Sequence, residues 1–123
     1  MRKTIILFEI LIIVLLLNLR LGAKQKHFLM TATGYYPGEE CTYPFNDGLT
    51  ATGAEAGRGC IAIDPEAKIL RLGQKVYVEG YGYGECNDVG SAIKGWRIDL
   101  CFETLEEAKE WGVQLVKVYI MED

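Results

Sequence analysis

Residues 88–102 read DVGSAIKGWRIDLCF. From Trp96 onward apolar and polar residues alternate with a period of two. Trp96, Ile98, Leu100 and Phe102 fall on one face and Arg97, Asp99 and Cys101 on the other. The pattern predicts a strand with one face in a core and Asp99 on the opposite face. Aspartate is disfavoured in strands, so Asp99 has either solvent or a chemical task to account for it. Upstream, Asp88 follows Asn87 and precedes Val89-Gly90, a sequence suited to starting a turn.

The same period recurs on both sides of this stretch. HFLMTA (27–32), CIAI (60–63) and KVYVE (75–79) read as strands, and in the last segment, 113–121, Val116, Val118 and Ile120 alternate with Lys117 and Tyr119. Residues 34–59 are dominated by Gly, Pro, Asn, Asp, Thr and Tyr, which is loop chemistry with room for one short strand. In GYGYG (80–84) the glycines lack the spacing and the following helix of a dinucleotide loop, so they mark a bend or a close backbone approach. Thr104 and Glu107 form a capping box for a short helix, TLEEAKEW, which Gly112 closes, with Leu105, Ala108 and Trp111 along one side. Five or six short strands and one late helix predict a mainly β protein, a small barrel rather than a parallel α/β sheet.

The chain has 123 residues, enough for one domain. Its first 23 residues, MRKTIILFEILIIVLLLNLRLGA, place Arg2 and Lys3 ahead of an apolar run from Ile5 to Leu17 broken only by Glu9. This resembles an export signal, with Leu21-Gly22-Ala23 as an imperfect cleavage site. The alternative is a retained membrane anchor, although the run is short of the roughly 20 residues that span a bilayer comfortably. The expected division is therefore 1–23 as signal peptide or anchor and 24–123 as the folded domain. The destination is the cell wall or extracellular space, or the outer face of the membrane if the segment is retained.

Export bears on Cys41, Cys60, Cys86 and Cys101, because an oxidising compartment favours disulfides in small domains. No CxxC pair is present, which argues against structural zinc. Cys86 and Cys101 flank the Asp88–Asp99 segment, so the preferred pairing is 86 with 101, leaving 41 with 60; buried free thiols are the alternative. The chain carries 13 Lys and Arg against 17 Asp and Glu, a net charge of -4. Beyond residue 23 the balance is more acidic still. Such a surface repels polyanions, and without a basic patch nucleic-acid binding is excluded.

His27 is the only histidine, and neither G-x-S-x-G nor H-E-x-x-H occurs. No metal-ligand cluster and no cofactor motif is evident. Acid and base chemistry is left to carboxylates: Asp99, Asp88, and Asp64, which precedes Pro65 as a strand terminator would. Lys94 is either a solvated loop charge or a cation that orients a carboxylate or sugar substituent. Tyr35, Tyr36, Tyr81, Tyr83 and Trp96 offer stacking surfaces for sugars, with core packing as the competing account.

Taken together, MTATGYYP, LTATG, GCIAIDP, LGQKVYVEGYGYG, CNDVGSAIKGWRIDL and EEAKEWGVQLVKVYIM resemble the 3D domain. This module is named for three aspartates and is found in stationary-phase-survival muralytic proteins and in the C-terminal part of membrane-bound lytic transglycosylase A. The resemblance runs from about Met30 to Met121. It implies a six-stranded double-psi β-barrel and identifies Asp64, Asp88 and Asp99 as the eponymous aspartates. It also implies a monomer acting on peptidoglycan glycan strands, as a lytic transglycosylase at the β-1,4 bond between N-acetylmuramic acid and N-acetylglucosamine. In that reading Asp99 is the acid and base, Asp88 supports it, Asp64 is a wall of the site, and Lys94, Tyr81 and Tyr83 contact substrate. Arg71 and Ser91 depart from the family's proline and second glycine, and the four cysteines lie outside its motif. A non-catalytic, expansin-like wall-binding barrel is the alternative, and a peptide-cleaving aspartyl hydrolase a third possibility.

Overall fold

The computed structural model describes residues 3, 6–15, 26–38 and 48–121. Residues 6–15 are helical with exposed side chains. Among the described residues no helix is long and apolar enough to cross a membrane. Much of the 1–23 segment and Cys41 lie outside the described residues.

Six strands follow: β1 (His27–Tyr35), β2 (Cys60–Ile63), β3 (Lys75–Val78), β4 (Gly82–Val89), β5 (Arg97–Cys101) and β6 (Val113–Ile120). They hydrogen-bond in the order β1-β5-β2-β4-β3-β6, and β6 returns to β1, so the sheet closes into a ring. Pairs β1/β5 and β2/β4 are parallel; the others are antiparallel. Between β5 and β6 lies a short α-helix, α1 (Leu105–Trp111). Thr104 caps it by accepting from Glu107 N at 3.1 Å, and Gly112 ends it at φ 64°, as the capping box predicts.

The ring encloses Met30, Ile61, Ile63, Val76, Val78, Ile98, Leu100 and Val118, all essentially buried. Each contributes about 1.5–3 kcal/mol by leaving water. Phe102 and Trp111 pack beside Tyr81, and α1 adds Ala108 to the same cluster. Gly84 allows the close approach expected of GYGYG. A Cβ there would sit 2.6 Å from Ile61 Cδ1 and 2.8 Å from Gly59 O.

Two expectations change. The run from Glu85 to Val89 is strand rather than the start of a turn, because β4 is paired with β2 on one side and β3 on the other. Trp96 does not join the core face. Gly95 turns the chain at φ 64°, the strand begins at Arg97, and Trp96 stands 55% exposed against Phe28.

The expected Cys86–Cys101 disulfide is corrected as well: Cys60, Cys86 and Cys101 are all free buried thiols. Strand β2 lies between β4 and β5, which separates the two backbones by roughly 10 Å at about 4.8 Å per strand. A disulfide tolerates no more than about 7 Å between Cα atoms. Cys86 also belongs to the enclosed core while Cys101 packs with Tyr35 and Cys60 in a separate cluster. The expected partner of Cys60, Cys41, lies outside the described residues; Cys60 itself is a free thiol.

Candidate functional site

Strand β2 organises the site. Ala62 is opposite Asp99 of β5 on one side and opposite Asp88 of β4 on the other. On β1, Thr33 is opposite Asp99. One row across the outer face of the ring therefore reads Asp88, Ala62, Asp99, Thr33. Opposed residues point to the same side of a sheet, so the methyl group of Ala62 is all that stands between the two aspartates in this row.

A bulge puts Asp88 in that row. The β2/β4 pairing slips between Ile61, opposite Cys86, and Ala62, opposite Asp88, leaving Asn87 as the extra residue. Strict alternation from exposed Tyr83 and Glu85 through buried Cys86 would turn Asp88 inward. The additional residue reverses that. Asn87 is buried, its Nδ2 donates to Cys60 Sγ at 3.3 Å, and its carbonyl accepts from Thr52 N at 3.1 Å. The LTATG loop (49–53) docks here: Ala51 N donates to Asp88 Oδ1 at 3.0 Å, and Val89 N donates to the same oxygen at 2.9 Å.

Asp99 is half-buried, and burial raises its carboxyl above the usual carboxylate range. Thr33 opposes this by donating Oγ1–H to Asp99 Oδ1 at 2.9 Å, as does the positive charge of Arg97; the charge of Asp88 adds a smaller upward push. Desolvation, more than the neighbouring carboxylate, thus favours the protonated form. Thr33, Arg97 and Asn87 are the participants that sequence reasoning missed. For Thr33 the signal was available, since alternation in MTATG places it opposite the buried Met30 and Ala32.

Asp64 takes a different position. It ends β2, accepts from Glu66 N at 3.2 Å through Oδ1 to cap a turn of 3-10 helix (Pro65–Ala67), and accepts from Gly95 N at 2.9 Å through Oδ2. Both oxygens are engaged with backbone, so Asp64 ties the 90–96 loop to the end of β2. Beside it lies a cavity of about 270 Å³ with Ile63, Val89 and Ile93 as apolar wall and Asp64, Glu66, Ser91 and Lys94 as polar rim.

The two tyrosines expected to contact substrate separate. Tyr83 is 71% exposed. Its ring packs edge-on to Tyr77, with centroids 4.9 Å apart. Tyr81 is buried, its ring held by Phe102, Trp111 and the Arg58 guanidinium 4.7 Å from its centroid. Its hydroxyl accepts from Gly59 N and donates to Cys101 O, and burial pushes the phenol up to about 12. Tyr81 is thus held as part of the buried packing, whereas Tyr83 stands at the surface.

The chain is 38% identical over 101 residues to the cell wall-binding protein YocH of Bacillus subtilis, covering 79% of this chain and 33% of that protein. It is 45% identical over 78 residues to the putative cell wall shaping protein YabE of the same organism, covering 60% of this chain and 19% of that one. Among solved structures, MltA from E. coli is similar with a TM-score of 0.46 and 21% identity, over 60% of this chain and 27% of that one. The chain thus spans a third or less of the length of these proteins. Residues 59–122 match the model of the 3D domain, a segment that holds β2 to β6, the bulge and all three aspartates, and the chain belongs to the 3D domain family.

Proposed function

We propose that this chain acts on peptidoglycan as a lytic transglycosylase, with Asp99 as the single acid and base. The observation that carries the reading is the state of Asp99: a half-buried carboxyl whose proton affinity is raised by desolvation, on the outer face of the ring and one residue's width from Asp88. Glycosidic cleavage needs a proton delivered to the leaving oxygen and negative charge near an oxocarbenium-like carbon. Protonated Asp99 gives its proton to the bridging oxygen as the bond to muramyl C1 breaks. Ionised Asp99 then takes the proton of the muramyl C6 hydroxyl while O6 bonds to C1. The product is a 1,6-anhydro end, Asp99 regains its proton, and no water is consumed.

Asp88 faces the developing positive charge as a carboxylate held by two backbone N–H groups. Asp64 acts by fixing the 90–96 loop, and Lys94 on the cavity rim and exposed Tyr83 contact the glycan. In this reading the ring is a double-psi β-barrel acting as a monomer. The N-terminal segment either directs export or anchors the domain to the outer face of the membrane.

A second reading is a wall-binding barrel without turnover. The names of the two Bacillus relatives, cell wall-binding and putative cell wall shaping, favour it. Mass spectrometry of purified sacculi incubated with the chain separates the two. Anhydro ends that fall at least about a hundredfold in Asp99→Asn, the low end of what a general acid contributes, support the transglycosylase. Hydrated reducing ends rule it out, and sacculus binding with no soluble product favours the binding module.

A further inference from the structure

We propose that Cys60 and Cys101 are a thiol pair that closes reversibly to a disulfide beside the aspartate row, independently of how the glycan reading fares. In the antiparallel β2/β5 pair, Ile61 is opposite Leu100 and Ala62 opposite Asp99. One further step of that register sets Cys60, the first residue of β2, opposite Cys101, the last of β5. Directly opposed residues of antiparallel strands have Cα atoms about 4.5–5.5 Å apart, inside the roughly 4.4–6.8 Å that a disulfide spans. Both side chains lie on the outer face, because each is two residues from a member of the Ala62/Asp99 pair. They pack together with Tyr35, which is opposite Cys101 on β1. Cys86 sits opposite Ile61 inside the ring, so the pair is defined by its neighbours as well as by its spacing.

The two sulfurs differ in access. Cys60 is 7% exposed and Cys101 fully buried. Cys60 Sγ lies at the edge of the cluster, contacted by Asn87 Nδ2 at 3.3 Å and Glu55 O at 3.4 Å. With a disulfide oxidant such as glutathione disulfide, the Cys60 thiolate attacks one oxidant sulfur and releases one thiol. The Cys101 thiolate then attacks Cys60 Sγ and expels the second. Two protein thiols become one disulfide, the oxidant becomes two thiols, and the two thiol protons end on them. The closed bond joins β2 to β5 two residues from Ala62 and Asp99, stapling the strands that carry the site.

The test is peptide mapping of the full chain, reduced, exposed in its native state to glutathione disulfide, alkylated and digested with trypsin. The expected product is 59–68 cross-linked to 98–109, with Cys86 recovered as an alkylated thiol. Cys86→Ser retains the link, and Cys60→Ser and Cys101→Ser each lose it. The proposal is overturned if Cys60 and Cys101 are both recovered alkylated, if Cys60 remains a mixed disulfide with glutathione, or if either is joined to Cys41 or Cys86.

Discussion

Thr33 Oγ1 donates to Asp99 Oδ1 at 2.9 Å and lies 3.3 Å from the carbonyl oxygen of Ile98. A hydroxyl has one proton and two lone pairs, so the side chain can serve both states of the carboxyl. It donates to ionised Asp99; when Asp99 is protonated it can accept that proton and donate to Ile98 instead. Thr33→Val removes the hydrogen bond that favours the ionised form, and Asp99 should then titrate at higher pH than in the native chain. Thr33→Ser should restore the original midpoint. Carboxyl-carbon NMR titration of Asp99 reads this directly, and an unchanged midpoint in Thr33→Val contradicts the assignment.

The raised proton affinity of Asp99 has a consequence for stability. A group that holds its proton more tightly folded than unfolded stabilises the fold while protonated and loses that contribution as pH rises through its folded value. Asp99→Asn has no such loss. The variant's stability relative to the native chain should therefore increase from about pH 3 to about pH 8, the range that brackets a raised carboxyl. Denaturant unfolding at both ends measures it; a relative stability that falls with pH would mean that Asp99 ionises more readily in the fold than free in water.

Where local chemistry and tertiary contacts agreed, the sequence was readable. CIAI became a strand with the expected bounds because both of its faces are covered and Asp64-Pro65 stops it. The capping box of Thr104 and Glu107 marked α1 because its hydrogen bonds are local. Strand β4 was hidden, since Gly82, Gly84, Asn87 and Asp88 are poor strand formers and pairing with β2 and β3 makes the strand. The bulge at Asn87 was equally hidden, because two residues opposing one is a property of the partner strand. That slip brings Asp88 into the row with Asp99, so the aspartates were legible as a motif but not as a geometry. Placing the thiols likewise required the strand order.

Tyr81 and Tyr83 should respond in opposite ways. Tyr81→Phe keeps the ring but leaves Gly59 N and Cys101 O without the hydroxyl that joins them, a loss of about 1–3 kcal/mol for buried groups left unpaired. Tyr83→Ala removes an exposed ring and should change stability by no more than about 0.5 kcal/mol. If Tyr83 meets the glycan, its loss weakens sedimentation with insoluble peptidoglycan while Tm stays put. Equal Tm losses in the two variants would show that Tyr83 is a packing residue.

Asp64 tests whether the third aspartate of the family acts through the loop. Its carboxylate holds Glu66 N at the start of the short helix and Gly95 N across the cavity. Asp64→Ala removes a cap, worth about 1 kcal/mol, and a second hydrogen bond of about 0.5–1.5 kcal/mol. A total near 2 kcal/mol is expected from denaturant unfolding. Asp64→Asn keeps one acceptor oxygen and should recover part of that loss. The Gly95 amide should exchange with solvent faster in Asp64→Ala, because its partner is gone, while amides in the middle of β5, such as Leu100, keep their protection once the global loss is subtracted. If Gly95 exchange is unaltered, the loop is held by Ile93 packing in the cavity, and Asp64 is free to meet substrate itself.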